Sequence, residues 1–379
     1  MKISNLVTQK IDINPNENQI TLSVSEKYGI VPQNFLFKKK IALNDRTKYL
    51  KVEYGNIVYN PFLLWNGAAG TCFFRNGGCT SPAYKVLKPN FPNIEYVLHY
   101  LFRSDNFRNS VDLISTGTVV RRRTAPIEKV LNINLNIRKL DELEKANIFF
   151  KSIEKKIINL EKKIIILQNY INNFFEITFF ENINNSNKVK WQKKCIKEYI
   201  NINKESINPQ KHLEEKFYHY SIPAFDYGGE PIIDIGTSIK STKFRIKKNT
   251  ILFSKLNPEN PRIWFPNHDE RFEGICSTEF MVISSNNNSS IEFLWALFSS
   301  KKLQDQLKSM VTGTSKSHQR IKPKDLEMLK IKMPIENNII SKFSKKTKVF
   351  LKRILLCKKE ILKLKELRNL SKSNLIFSE

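Results

Sequence analysis

Residues 143–174 carry an unbroken heptad pattern, and any fold of this chain must find a partner for it. Apolar side chains fall at Leu143, Ala146, Phe150, Ile153, Ile157, Leu160, Ile164, Leu167, Ile171 and Phe174. Steps of three and four residues put them on one stripe of a long helix, and Lys and Glu fill most positions between. A second stripe in the same register lies 197 residues further on, at Ile340, Phe343, Thr347, Phe350, Ile354, Cys357, Ile361 and Leu364. Thr347 is its one clearly polar member. Two copies of one helix in one chain predict that the seam closes within the molecule, so no intermolecular dimer is needed to cover it.

The repeat extends beyond the helices. Thr116-Gly117-Thr118 matches Thr312-Gly313-Thr314, and Leu101-Phe102 matches Leu297-Phe298, both displaced by 196 residues. Arg123 and Pro126 match Arg320 and Pro323 at 197, and Leu131, Ile133 and Leu135 match Leu329, Ile331 and Met333 at 198. Four segments result: a mixed α/β domain over 1–136, a long helix over 137–183, a second mixed domain over 184–334 and a second long helix over 335–379. Short strands are expected at 20–24, 56–59, 232–235, 244–246 and 251–253, and at the alternating triplets that start with Leu131 and Leu329. One helix is expected over 94–107, one over 291–308, and fraying of the first long helix near Phe180.

A chain of 379 residues with 41% apolar content is long enough for two cores. Its net charge of +27 points to an anionic partner, first nucleic acid and second an acidic membrane surface. Part of the Lys excess is also what a Lys-, Asn- and Ile-rich composition places on any solvated face. The five cysteines are scattered, with no Cys-x-x-Cys pair and no Cys/His cluster, which supports neither a disulfide framework nor a zinc site. The first ten residues lack the apolar centre of a signal peptide, and no apolar run reaches the length of a membrane span. A cytoplasmic protein is expected.

Motifs for catalysis are few. Asn60-Pro61-Phe62 has part of the Asn-Pro-Pro-aromatic pattern of amino methyltransferases but lacks the second proline, and no glycine motif for S-adenosylmethionine accompanies it. Gly67-Ala68-Ala69-Gly70 is too short for a phosphate loop. Asp269, Glu270, Arg271 and Glu273 form the nearest approach to a nuclease cluster and read more simply as a solvated loop. The five histidines show no metal or triad spacing. Binding chemistry is better represented. Phosphate contacts need Lys, Arg and small hydroxyls, and base reading needs Arg, Lys, Asn and Gln on loops held by rigid neighbours. Candidates are Thr118, Arg121, Arg122 and Arg123 in one Gly-Thr loop and Thr314, Lys316, Ser317, His318 and Arg320 in the other. Loops around Asn60, Trp65, Asn66 and Arg75, and around Lys255, Asn257, Arg262 and Trp264, add further candidates.

The order of these features resembles the DNA-specificity subunit of type I restriction-modification systems. The resemblance rests on Tyr28-Gly29-Ile30-Val31-Pro32-Gln33, Gly55-Asn56-Ile57-Val58-Tyr59-Asn60-Pro61 and Ser81-Pro82-Ala83-Tyr84 in the first half. In the second half it rests on Ser254-Lys255-Leu256-Asn257-Pro258, Cys276-Ser277-Thr278-Glu279-Phe280, Gly313-Thr314 leading to Gln319-Arg320-Ile321, and Leu329-Lys330-Ile331-Lys332-Met333-Pro334. The first copy departs from the pattern at Leu135-Asn136-Ile137, where the proline before the helix is missing. The resemblance implies two tandem target recognition domains on two long helices that form an antiparallel coiled coil, an internal pseudo-twofold repeat. It implies a double-stranded DNA target with two half-sites and an unspecified spacer measured by helix length. It further implies two methylation (M) subunits with S-adenosylmethionine, motor-nuclease (R) subunits with ATP and Mg, no cofactor on this chain, and no membrane. The alternatives are a coiled-coil adaptor with basic globular halves that bind protein, and a stand-alone nuclease or methyltransferase. Ile158, Ile165 and Ile166 lie off the seam; they serve either partner subunits or the chain's own domains.

Overall fold

A computed structural model describes residues 1–13, 19–36, 47–117, 123–181, 190–310, 319–336 and 338–378. Thr118, Arg121, Arg122, Thr314, Lys316, Ser317 and His318 lie outside these. The chain divides into two compact units, Met1–Asn159 with Glu360–Glu379, and Leu160–Lys359.

The first unit contains strands β1 (Val7–Lys10), β2 (Thr21–Ser25), β3 (Gly29–Pro32), β4 (Leu50–Val52), β5 (Ile57–Tyr59), β6 (Ala69–Thr71), β7 (Gly78–Thr80) and β8 (Lys85–Pro89). Its helices are α1 (Gln33–Leu36), α2 (Glu95–Leu101), α3 (Asp105–Ile114), α4 (Ile127–Leu131) and the first part of α5 (Leu140–Glu176). One sheet has the order β1-β8-β5-β6, with every pair antiparallel. The other has the order β3-β2-β7-β4, in which β2 and β7 run parallel. The turn into β7 depends on Gly77: its φ is +64°, and a Cβ there would stand 2.2 Å from the Val52 carbonyl oxygen.

The second unit repeats both of these sheets and adds further strands. Its strands are β9 (Trp191–Cys195), β10 (Ile200–Asn203), β11 (Ser206–Ile207), β12 (Lys216–Tyr220), β13 (Ile232–Ile235), β14 (Lys243–Arg245), β15 (Thr250–Ser254), β16 (Ile263–Trp264), β17 (Glu273–Ser277), β18 (Phe280–Ser285) and β19 (Lys330–Pro334). Its helices are α6 (Ile222–Gly228), α7 (Ile291–Ser299), α8 (Lys301–Ser309), α9 (Pro323–Met328) and the first part of α10 (Asn338–Ile376). The order β10-β18-β15-β16 copies the first sheet, and β13-β12-β17-β14 copies the second, including its single parallel pair, with β11 added at the edge and β9 and β19 paired as a sheet of their own. The segments between the matched motifs share little sequence, so their common topology comes from the pattern of buried positions and not from residue identity.

Several expectations are corrected. The helix expected over 94–107 is two helices, α2 and α3, and that over 291–308 is also two, α7 and α8. A serine causes each break. The Ser104 hydroxyl donates to the Leu101 carbonyl at 2.7 Å and accepts from the Phe107 amide at 3.2 Å. Ser300 does the same with Leu297 and Leu303, at 2.7 and 3.4 Å. One hydroxyl thus ends one helix and caps the next. The triplet at Leu131 is not a strand: Leu131 ends α4, and the segment after it makes the isolated bridges Lys2–Asn134 and Ile137–Phe377. The triplet at Leu329 does form β19, because β9 is present to pair with it.

The heptad stripes are buried as expected. Leu143, Ala146, Phe150, Ile153, Ile157, Leu160, Ile164 and Ile171 are buried on α5, and Ile340, Phe343, Thr347, Ile354, Cys357 and Ile361 on α10. Leu167, Phe350 and Leu364 are half-buried. In the first unit Glu154 pairs with Arg368 at 2.8 Å and Lys156 with Glu360 at 3.1 Å. In the second, Tyr170 meets Phe350 and Phe174 stacks on Phe343, with ring centres 4.7 and 5.3 Å apart. Within each unit the numbering rises along α5 as it falls along α10, so the helices pair antiparallel. Thr347 is fully buried, and its hydroxyl donates to the Phe343 carbonyl at 2.9 Å. After Ile171 the buried positions are Phe175 and Phe179 in place of Phe174, and the helix widens into a π turn over Ile177–Glu181. Steps of four replace the three-four alternation because both rings pack on Phe293 of α7 as well as on Phe343.

The core of the first unit joins Ile3, Leu6, Leu98, Leu101, Phe102 and Phe107 to Leu143, Ala146 and Phe150 of α5 and to Ile376 of α10. Burial of side chains this size stabilises by roughly 1.5–3 kcal/mol each. Asn147 carries a polar link across that contact. Asn147 is 1% exposed, and its Oδ1 accepts from the Tyr96 and Val97 amides at 2.7 and 3.2 Å. The residue before α2 is Ile94, which has no side-chain acceptor to offer, so α5 supplies the missing cap. In the second unit the equivalent helix α7 is capped in its own chain segment by Ser290. Asn147→Leu is expected to lower the unfolding free energy by about 2–3 kcal/mol, because two buried amides lose their acceptor. Chemical denaturation measures this, and a loss below about 0.5 kcal/mol would show that the cap is dispensable.

Candidate nucleic-acid interface

Each unit places the same two loops side by side. In the first, β5 leads into Asn60, whose side-chain oxygen accepts from the Phe62 amide at 3.0 Å and folds Asn60-Pro61-Phe62 into a tight turn. The Trp65 indole then donates to the Phe62 carbonyl at 3.0 Å. The loop after α3 docks on this turn through the Ala125 amide and Pro61 carbonyl, 2.9 Å apart. Thr116 and Thr124 bond to each other at 3.0 and 2.9 Å, so the described ends of the Gly-Thr loop are clamped. In the second unit β15 leads into Lys255, whose carbonyl accepts from the Ile321 amide at 3.0 Å, while the Asn257 amide donates to the Gln319 carbonyl at 2.9 Å. In each unit one backbone bond joins the two loops at a similar place, Ala125 to Pro61 in the first and Ile321 to Lys255 in the second.

The arginines of these loops carry carboxylates. Arg123 pairs with Asp112 at 2.7 Å, donates to the Asp112 carbonyl at 2.9 Å, and lies over the Trp65 ring with 5.6 Å to its centre. Arg262 binds both Asp226 oxygens, at 2.7 and 2.8 Å. Arg320 binds both Glu279 oxygens at 3.1 Å. Burial first, and then Arg320 and Lys204 nearby, lower the pKa of Lys255, against the opposite pull of Glu279 and Cys276. Arg75 is exposed. Trp264 is corrected to a core residue: it is 2% exposed and packs on Tyr220, Phe225 and Phe280. A phosphate entering either loop pair therefore meets guanidiniums already oriented by acids. Such pairs fix the fork of an arginine in place, and a phosphate must displace or share the carboxylate.

The acidic anchors Asp112, Asp226 and Glu279 were not singled out from sequence. They stand 11, 36 and 41 residues from their arginines, and no local pattern marks them. The carboxylates nearest to a nuclease cluster are separated by their own partners: Asp269 by Arg271, Glu270 by Lys248 and Glu273 by Arg245. Among the described residues no group of His, Cys, Asp and Glu is placed to hold a metal ion, and no helix is long and apolar enough to cross a membrane. Among the described residues Ile158, Ile165 and Ile166 are 45, 56 and 67% exposed.

Arg320→Ala is expected to weaken duplex binding about threefold to tenfold, and Glu279→Gln, which releases the guanidinium, to strengthen it by a similar factor. Fluorescence anisotropy at moderate salt reads both. Unchanged affinity in both variants removes Arg320 from the interface.

Comparison with known proteins places these loops in context. Residues 188–366 match the family model of the type I restriction modification DNA specificity domain. A search of curated proteins finds no match. The crystal structure of the type I restriction-modification system S subunit from M. genitalium aligns with a TM-score of 0.58 at 12% identity, over 100% of this chain and 96% of that one. This likeness extends the same fold over both halves. The HsdS subunit from Thermoanaerobacter tengcongensis also matches at 12% identity, over 100% and 96% of the two chains, but its TM-score of 0.34 is too low to add to the assignment. Residues 188–366 thus match the type I restriction modification DNA specificity domain, and the chain as a whole shares the fold of the S subunit from M. genitalium.

Proposed function

We propose that this chain reads a bipartite double-stranded DNA target for a type I restriction-modification assembly. Residues 1–136 and 184–334 act as target recognition domains, each reading one half-site, and the helices over 137–183 and 335–379 set the unspecified spacer between them. The observation that carries this reading is the duplicated loop pair, which follows equivalent strands in both units and is joined in each by a backbone bond between the two loops. One topology with different loop residues is suited to reading two different sequences. The net charge of +27 suits a phosphate backbone.

Chemistry belongs to partners in this reading. Two methylation (M) subunits bring S-adenosylmethionine and methylate adenine, and motor-nuclease (R) subunits bring ATP and Mg and cut, all in the cytoplasm. The exposed isoleucines on α5 offer these subunits an apolar docking surface. An adaptor that binds only protein through the same helices is the competing account, and salt separates the two. Neutralising about four phosphates predicts that affinity for duplex DNA falls about a hundredfold from roughly 50 to roughly 200 mM salt. The chain alone, given labelled S-adenosylmethionine and DNA, is expected to transfer no methyl group. Salt-independent binding, or methylation without partners, contradicts the proposal.

A further inference from the structure

The first unit holds a cavity of about 420 Å³ that the paired loops do not use. It lies where α2 and the turn after it face the nearby parts of α5 and α10. One wall is aromatic. Phe73 stacks on Tyr96 with ring centres 4.5 Å apart, and His99 and Tyr28 extend the surface. Cations line it as well. Arg368 and Lys372 of α10 both lie over the Tyr100 ring, 5.8 and 4.9 Å from its centre, and Lys27 and Arg103 also line the space.

Among the described residues Glu154 is the only carboxylate that lines this space. It is already committed, accepting from Arg368 at 2.8 Å and from the Tyr100 hydroxyl. The Arg368 Nε is buried and finds no acceptor among the described residues. Burial, and then Arg368 and Arg103, push the Lys372 ammonium down to about 8, as expected for a cation crowded by cations. His99 contributes differently. Its Nδ1 accepts from the Thr71 amide at 3.3 Å, and burial, reinforced by Arg103, Lys372 and Arg368, pushes its pKa down to about 3. It is therefore a neutral ring whose proton sits on Nε2, a donor and not a charge.

We propose that this cavity binds a nucleotide, its phosphate held by Lys372, Arg103 and Lys27 and its base laid against Phe73 and Tyr96. The volume lies in the range of small-molecule sites. The excess of cations over the one occupied carboxylate selects an anion, and the flat aromatic wall selects a planar ring beside it. The nucleotide is either free or part of a nucleic-acid strand. The shared chemistry is a phosphate next to a base.

Titration calorimetry on the full chain tests this with adenosine monophosphate, adenosine and inorganic phosphate as probes. Adenosine monophosphate is expected to bind at least about tenfold more tightly than either of the others, since only it presents both groups. Lys372→Met should weaken it about tenfold, and Glu154→Gln, which keeps the hydrogen bonds and removes the opposing charge, should tighten it severalfold. If Lys372→Met fails to fold, judged by its thermal midpoint, the gain in Glu154→Gln decides alone. Displacement of the bound nucleotide by a short duplex assigns the site to nucleic acid; simultaneous binding assigns it to the free nucleotide. Equal affinity for adenosine and its monophosphate, or variants that bind like the parent, would overturn the proposal. Neither result bears on target reading, because none of these residues lies in the paired loops.

Discussion

Everything in this molecule hangs on the apolar seam between α5 and α10. The stripe on α5 is too hydrophobic to face water, and the stripe on α10 has the same register. Their antiparallel pairing brings residues 360–379 into the first unit, whose core includes Ile376 beside Ile3 and Leu6. The closure is polar as well as apolar. The Arg138 amide donates to the Ile376 carbonyl and the Ser378 amide to that of Asn136, both at 3.0 Å. The first unit is thus completed only after most of the chain has been threaded, which makes its contacts long-range by construction.

The seam also tolerates polarity where a partner is at hand. Thr347 bonds back to its own helix, and Asn147 bonds forward to α2. The second case is the more consequential, because it ties the orientation of the helix pair to the helix that borders the cationic cavity. Tyr96, His99 and Tyr100 line that cavity from α2, and Asn147 fixes the first turn of α2. The mixed α/β domain and its supporting helix are therefore one packed body in the first unit, and their polar contact is specific in geometry.

Much of the architecture was legible from residue spacing. The heptads and their copy announced the helix pair, and the repeated Gly-Thr and alternating segments announced two equivalent domains. What stayed hidden depended on single atoms or distant partners. Ser104 and Ser300 look like ordinary helix residues until their hydroxyls are seen to end one helix and begin another. Phe174 was placed on the seam by strict periodicity, but Phe293 drew Phe175 and Phe179 inward. At the loops, residue type singles out Asn60, Arg123, Lys255 and Arg320 as candidates, and the structure sets Asn60 and Arg123 in one loop pair and Lys255 and Arg320 in the other. Trp264 was misread because a tryptophan in a polar stretch resembles a surface aromatic; its ring completes a core around Tyr220. The acids that hold Arg262 and Arg320 could not be read, since pairing across 36 and 41 residues leaves no trace in local pattern.

The central claim is that two copies of one scaffold read two separate pieces of DNA. Sequencing of methylated adenines in a host that expresses this chain with its methylation subunits tests it most directly. The account predicts an asymmetric motif with two short specified segments and a spacer of constant length. A single contiguous motif, or two segments at variable spacing, would contradict it.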